Sequence, residues 1–162
     1  MRIATSTLIY LLSINSPSLC CQIDLSHNAI KRYTKNMYKL PVTVDLSNNK
    51  LKKLPPPKMK VPLIHKLDVS HNHLSQLPPN FNNLQCMTRL DLSHNQLEQV
   101  SEQLGLTKYI RWLDLSYNLL VELPDSFCAL GYAIDELHVT NNRLTTLPQN
   151  IDNFKVTDRM VC

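Results

Sequence analysis

The side chains best suited to chemistry are the histidines, aspartates and cysteines, and some of them recur at a fixed interval. Asp68 and His71 return as Asp91 and His94, 23 residues further on. If those segments are neighbouring strands, two imidazoles and two carboxylates stand side by side, and both groups ligate zinc. Such a column is more commonly a solvated strand surface, and its spacing matches no established ligand pattern, so no metal is assigned. No HExxH pattern occurs, and no Ser-His-Asp or Cys-His set stands out. The two glycines, Gly105 and Gly131, are too far apart for a phosphate-cradling loop, a dinucleotide fingerprint or a nucleophile elbow. The expectation is therefore a protein that is not an enzyme and has no cofactor.

Cys20, Cys21, Cys86, Cys128 and Cys162 are odd in number, and their spacing suits neither a disulfide framework nor a zinc site. Reduced thiols are the simpler reading. None of the 15 asparagines lies in an N-glycosylation acceptor sequence, which points the same way, towards the cytosol. Residues 1–19 point elsewhere: Arg2, an apolar run over 4–14, and the small residues Ser16 and Ser18 have the layout of a secretory signal. The segment is thus either an N-terminal cap on a cytoplasmic chain or a cleaved signal on a secreted one.

What positions the regular residues is an internal repeat. IDLSHNAI (23–30), VDLSNNKL (44–51), LDVSHNHL (67–74), LDLSHNQL (90–97), LDLSYNLL (113–120) and LHVTNNRL (137–144) are six copies of one unit. Their asparagines, Asn28, Asn49, Asn72, Asn95, Asn118 and Asn142, are separated by 21, 23, 23, 23 and 24 residues. That interval falls within the leucine-rich-repeat period and outside the ankyrin and tetratricopeptide lengths.

Alternation of apolar and polar residues in each copy, as in Leu90-Asp91-Leu92, predicts a short strand with one buried face. Six such strands stack in parallel, giving an α/β solenoid of about six repeats with a concave parallel sheet and an irregular or short-helical convex side. The asparagine after each strand sits where the chain turns inward, and its amide satisfies backbone groups of adjacent turns. Its loss should cost roughly 1–3 kcal/mol.

Four repeats then carry Leu-Pro (Leu54-Pro55, Leu77-Pro78, Leu123-Pro124, Leu147-Pro148), with Val100-Ser101 as the exception. Proline starts the convex side without orphaning a donor. Phe81, Leu84, Phe127, Leu130, Ile151 and Phe154 are expected to fill the convex half of the core. The repeat domain runs over 20–162 and ends within an apparent seventh repeat, because Met160 and Cys162 fall at the strand leucine positions. An open strand edge there could pair with another copy.

The string LxxLxLSxNxLxxLP with its 23-residue period resembles the intracellular leucine-rich-repeat class found in Ras-binding scaffold proteins, Ras suppressors and the Scribble and Erbin adaptors. The resemblance covers about residues 20–162. It implies a curved solenoid whose concave sheet grips a protein, with no cofactor and no chemistry. The first repeats depart from the pattern in being shorter and more basic, and the cysteine-rich flanking caps of extracellular members are absent.

On the concave face the columns Asp24, Asp45, Asp68, Asp91, Asp114, His138 and Ser26, Ser47, Ser70, Ser93, Ser116, Thr140 are expected to face solvent. Specificity belongs to the variable columns. The residue before the strand core runs Gln22, Thr43, Lys66, Arg89, Trp112, Glu136, and the residue before each asparagine runs His27, Asn48, His71, His94, Tyr117, Asn141. Lys66, His71, Arg89, His94, Trp112 and Tyr117 include the residue types enriched at binding hot spots, and form the candidate partner-binding surface of a signalling scaffold or adaptor. For a secreted chain the same surface would read an extracellular ligand.

Charge is distributed unevenly. Residues 1–66 carry eleven Lys and Arg against two acids, a net of +9, while residues 67–162 carry six against eleven, a net of −5. Lys31 and Arg32 align with Lys52 and Lys53 in the next repeat, with Lys50, Lys58 and Lys60 near by, which predicts a basic patch on one flank. Such a patch suits an acidic protein or an anionic membrane surface. Nucleic acid is a poor fit, since no reading module is present and Tyr33 and Tyr38 are the only aromatics interleaved with the charges.

Overall fold

The computed structural model describes residues 22–32, 43–57, 64–132, 134–149 and 160–161. Segment 1–19, the cysteines at 20, 21 and 162, and Lys58, Lys60, Ile151 and Phe154 lie outside the described residues. Seven short strands, β1 (Gln22–Asp24), β2 (Thr43–Asp45), β3 (Lys66–Asp68), β4 (Arg89–Asp91), β5 (Trp112–Asp114), β6 (Glu136–His138) and β7 (Met160–Val161), form one parallel sheet in sequence order. Equivalent residues face each other in register, as in Leu67↔Leu90, Leu90↔Leu113 and Leu113↔Leu137. This is the parallel solenoid expected from the repeat.

The central residue of each strand points inward, from Ile23 through Val44, Leu67, Leu90 and Leu113 to Leu137. Leu46, Val69, Leu92, Leu115 and Val139 form a second buried row, and Leu51, Leu74, Leu97 and Leu120 a third. Each turn of the solenoid is too small to bury its own apolar face, so the core exists only because turns stack.

Short helical turns close the convex side: 3₁₀ turns at Phe81–Asn83 and Asp125–Tyr132, and an α-helical turn at Glu102–Gly105. Phe81, Leu84, Phe127 and Leu130 are buried there. The repeat lacking proline solves its entry differently. Ser101 caps the helical turn by accepting a hydrogen bond from the Gln103 N–H, at 3.1 Å, so a serine N-cap replaces the Leu-Pro entry. Gly105 allows the next repeat to approach closely, since a β-carbon at this position would lie 2.4 Å from the Ser126 carbonyl oxygen.

Past β1 to β6 the chain does not continue as extended backbone. The aspartate of the strand accepts a hydrogen bond from the backbone N–H two residues on, as Asp45 does from Ser47 (2.9 Å) and Asp68 from Ser70 (2.9 Å). The next residue then adopts a left-handed conformation: His27, Asn48, His71, His94, Tyr117 and Asn141 have φ between 52° and 55°. This turn corrects one expectation. Ser47, Ser70, Ser93 and Ser116 are buried, not solvent-facing, because the backbone swings inward one residue earlier than strict alternation implies.

The asparagine follows and enters the solenoid. Asn95 Nδ2 donates to the carbonyls of Val69, Leu92 and Ser93 at 3.0, 3.1 and 3.1 Å, and its Oδ1 accepts from the Leu74 N–H at 2.9 Å. The same pattern holds at Asn49, Asn72, Asn118 and Asn142. Carbonyls are shared along the ladder, with Val69 O taking donors from Asn72 and Asn95, and Leu92 O from Asn95 and Asn118. Asn28 is exposed and, among the described residues, bonds to carbonyls of its own turn, Leu25 and Ser26.

Candidate functional site

The concave face carries three parallel rows. The first lies at the start of the strands, where register brings Lys66, Arg89, Trp112 and Glu136 side by side. The Arg89 guanidinium sits over the Trp112 ring, 3.5 Å from its centroid. On the other side the Trp112 indole N–H donates to Glu136 Oε2 at 3.1 Å, and the His138 ring packs at a tilt, centroids 5.5 Å apart. Glu136 Oε2 also contacts His138 Nε2 at 3.5 Å, too long to count as a hydrogen bond. Trp112 is half-buried between these neighbours and keeps the rest of its surface open. Such a cation–π contact is worth about 0.5–1 kcal/mol at an exposed site.

The third row lies just past the strands, at the left-handed turn positions. The rings of His71 and His94 stack with centroids 4.0 Å apart and 12° between planes, and those of His94 and Tyr117 at 4.2 Å and 9°. The backbone holds the row in place. His71, His94 and Tyr117 N–H groups donate to the carbonyls of Ser93, Ser116 and Thr140 in the following repeat, at 3.0, 3.0 and 2.9 Å. Tyr117 is half exposed, which is large for an aromatic. Asparagine and histidine tolerate a positive φ better than most residues, so five of the six residues in this column are types that suit the turn.

Between these rows runs the carboxylate stripe Asp24, Asp45, Asp68, Asp91 and Asp114, which ends at His138. Burial pushes the Asp91 carboxyl above its usual 3.8, and Asp68 and Asp114 on either side push the same way, against two hydrogen bonds from Ser93. Burial lowers His94 below 6.5, and so does His71; Asp114 and Asp91 pull in the opposite direction. Asp24 in the first strand is held below 3.8 by its hydrogen bonds from Ser26.

All six candidate binding residues therefore lie on the concave side, but in two rows and not one cluster. Lys66, Arg89 and Trp112 form one edge of the carboxylate stripe, and His71, His94 and Tyr117 the other. Sequence reasoning missed Glu136 and His138 as the residues that orient Trp112, although Glu136 stands in the Trp112 column and His138 is the break in the aspartate column. Among the described residues no group of three or more His, Cys, Asp or Glu is arranged to hold a metal ion.

The basic residues lie away from this face. Lys31, Arg32, Lys50, Lys52 and Lys53 are exposed and line a groove of about 740 Å³ on the flank, together with Leu54, Pro55 and His73.

A family profile described as the leucine rich repeat matches residues 62–120. A solved leucine-rich-repeat protein of Leptospira interrogans superposes with a TM-score of 0.72 at 25% identity, over 79% of this chain and 33% of that one. The chain thus spans about a third of that protein's length. Among curated proteins none gives a significant sequence match. Repeat, asparagine ladder, parallel sheet, profile match and structural likeness agree: the chain is built of leucine-rich repeats stacked as a parallel solenoid.

Proposed function

We propose that the chain is a non-catalytic protein-binding module that engages its partner through the concave face. One observation carries this reading: Arg89, Trp112 and Glu136 on one edge, and His71, His94 and Tyr117 on the other, are already held by one another and by the backbone. Side chains fixed before association lose little rotamer freedom on binding, which lowers the cost of association. Arginine, tryptophan and tyrosine are also the residues over-represented where interfaces concentrate their energy. Leucine-rich-repeat folds typically bind proteins, in keeping with this reading.

The partner is a protein met inside the cell, and the module acts there as a signalling scaffold or adaptor of the 23-residue class. Support comes from cysteines whose spacing fits no disulfide framework, with Cys86 a half-buried free thiol. The competing reading, a secreted recognition module, rests on the apolar run at 4–14. Intact mass after thiol alkylation separates them: retention of 1–20 with alkylated thiols favours the scaffold, and loss of that segment with blocked thiols favours secretion.

The test of the concave face is Trp112→Ala with Tyr117→Asn. Asparagine already occupies the equivalent left-handed position at Asn48 and Asn141, so the turn is kept while the ring is removed. Quantitative affinity capture from the native cells should show a partner retained by the wild type and lost by the double variant. Equal retention by a folded double variant, checked by circular dichroism, would place the binding surface elsewhere.

A further inference from the structure

We infer that the flank groove of the first two repeats is a second binding site, independent of the concave face, that takes an extended acidic segment of a protein. Lys31 and Arg32 from one repeat and Lys50, Lys52 and Lys53 from the next converge on it, with Leu54, Pro55 and His73 completing the lining. None of the five cations forms an ion pair among the described residues. Like charges gathered without a counter-charge repel one another, so an anion in the groove relieves a cost that the folded chain otherwise bears.

The basic character is local. The positions equivalent to Lys31-Arg32 and Lys52-Lys53 in the next three repeats are Ser75-Gln76, Glu98-Gln99 and Val121-Glu122, so the flank changes from basic to acidic along the solenoid. A ligand drawn by charge is thereby confined to one end. The volume, about 740 Å³, lies in the range of pockets that hold ligands much larger than a single phosphate. A recess also suits a bilayer poorly, since a flat surface would reach only its rim.

Part of the backbone beside the groove is already engaged. Lys50 N–H donates to the Ile30 carbonyl at 3.0 Å and His73 N–H to the Leu51 carbonyl at 2.8 Å, so these flank donors are consumed between repeats. What the groove offers is side-chain charge. Repeats stack about 5 Å apart, and alternate side chains of an extended peptide about 7 Å, close enough for several carboxylates to reach cations of both repeats.

The test uses a fluorescein-labelled octaglutamate peptide and the full chain, read by anisotropy. Octaglutamate should bind saturably in dilute buffer and weaken about tenfold or more when salt is raised to about 0.3 M. Lys52→Glu with Lys53→Glu should reduce affinity about tenfold or more, since both attraction and its sign change. Trp112→Ala with Tyr117→Asn should leave it unchanged, which separates this site from the concave one. The inference is overturned if octaglutamate does not bind, if octaglutamine binds as well, or if a folded charge-reversed variant binds octaglutamate undiminished. It is equally overturned if phosphatidylserine vesicles bind the flank while the peptide does not. Lys31→Ala with Arg32→Ala gives a second variant on exposed side chains and should weaken binding in the same direction.

Discussion

Replacing Asn95 by alanine tests the ladder at its centre, where every group it serves can be followed. Its Nδ2 reaches the carbonyls of Val69, Leu92 and Ser93, and each of these has another donor: Asn72, Asn118 and the His71 N–H respectively. The Leu74 N–H is different, because Asn95 Oδ1 at 2.9 Å is the acceptor the structure gives it. Alanine therefore orphans one buried donor, at about 1–3 kcal/mol, and removes further hydrogen bonds worth roughly 0.5–1.5 kcal/mol each. The expected loss is about 2–4 kcal/mol, a fall in Tm on the order of 10 °C for a chain of this size. Asn95→Asp sharpens the case. One carboxylate oxygen still accepts from Leu74, but the other replaces the donor and faces carbonyls that Nδ2 met at 3.0 and 3.1 Å. Because the amide's orientation is what makes it a donor there, aspartate should destabilise at least as much as alanine. Asn28→Ala, on an exposed residue bonded within its own turn, should cost much less. Thermal and urea unfolding of the three variants give the comparison. An Asn95→Ala cost within about 0.5 kcal/mol, the range of ordinary surface substitutions, would mean that the Leu74 N–H does not rely on Asn95, and an Asn95→Asp variant more stable than Asn95→Ala would mean that Nδ2 is not needed as a donor.

Asp91→Asn should stabilise the protein at neutral pH, because the folded carboxyl titrates above its usual 3.8 and its ionisation costs stability as pH rises through that folded value. The amide oxygen still accepts from Ser93, so the gain in Tm should fade as pH falls below 3.8, and a loss at neutral pH would show that the carboxylate is needed for the turn. His94 has the opposite sign: its folded value lies below 6.5, so stability is lost as pH falls through that region, and His94→Asn should flatten the Tm profile on its acid side. Parallel profiles for the two proteins would count against it. Gly105→Ala should lower the urea midpoint by the equivalent of about 1–3 kcal/mol, since the new methyl collides with the Ser126 backbone. An unchanged midpoint would mean the convex turns can part freely.

The solenoid was legible because its repeat is strict: the apolar pair of each strand and the asparagine behind it recur at nearly constant spacing, and each has one physical role. The Leu-Pro entry was legible too, and its exception at Val100-Ser101 is a serine N-cap. What was not legible depends on where the strands end. Alternation carried one residue too far puts Ser47, Ser70, Ser93 and Ser116 in solvent, whereas the left-handed residue after each turns the backbone inward and buries them. The excess of histidine and asparagine at that column was the available signal. The split of the concave residues into two rows is also a consequence of the turn, which sets His71, His94 and Tyr117 apart from Lys66, Arg89 and Trp112. The contacts that orient Trp112 required side-chain rotamers, which register alone does not supply.

Photocrosslinking in the native cells shows whether the concave rows meet the partner. A photoreactive phenylalanine analogue placed at Tyr117 reports on the concave face, and the same residue at Glu102, exposed on the convex helical turn, serves as the comparison. A discrete adduct with one protein partner is expected from the Tyr117 position and none from Glu102. Adducts from Glu102 with none from Tyr117 would move the binding surface to the convex side.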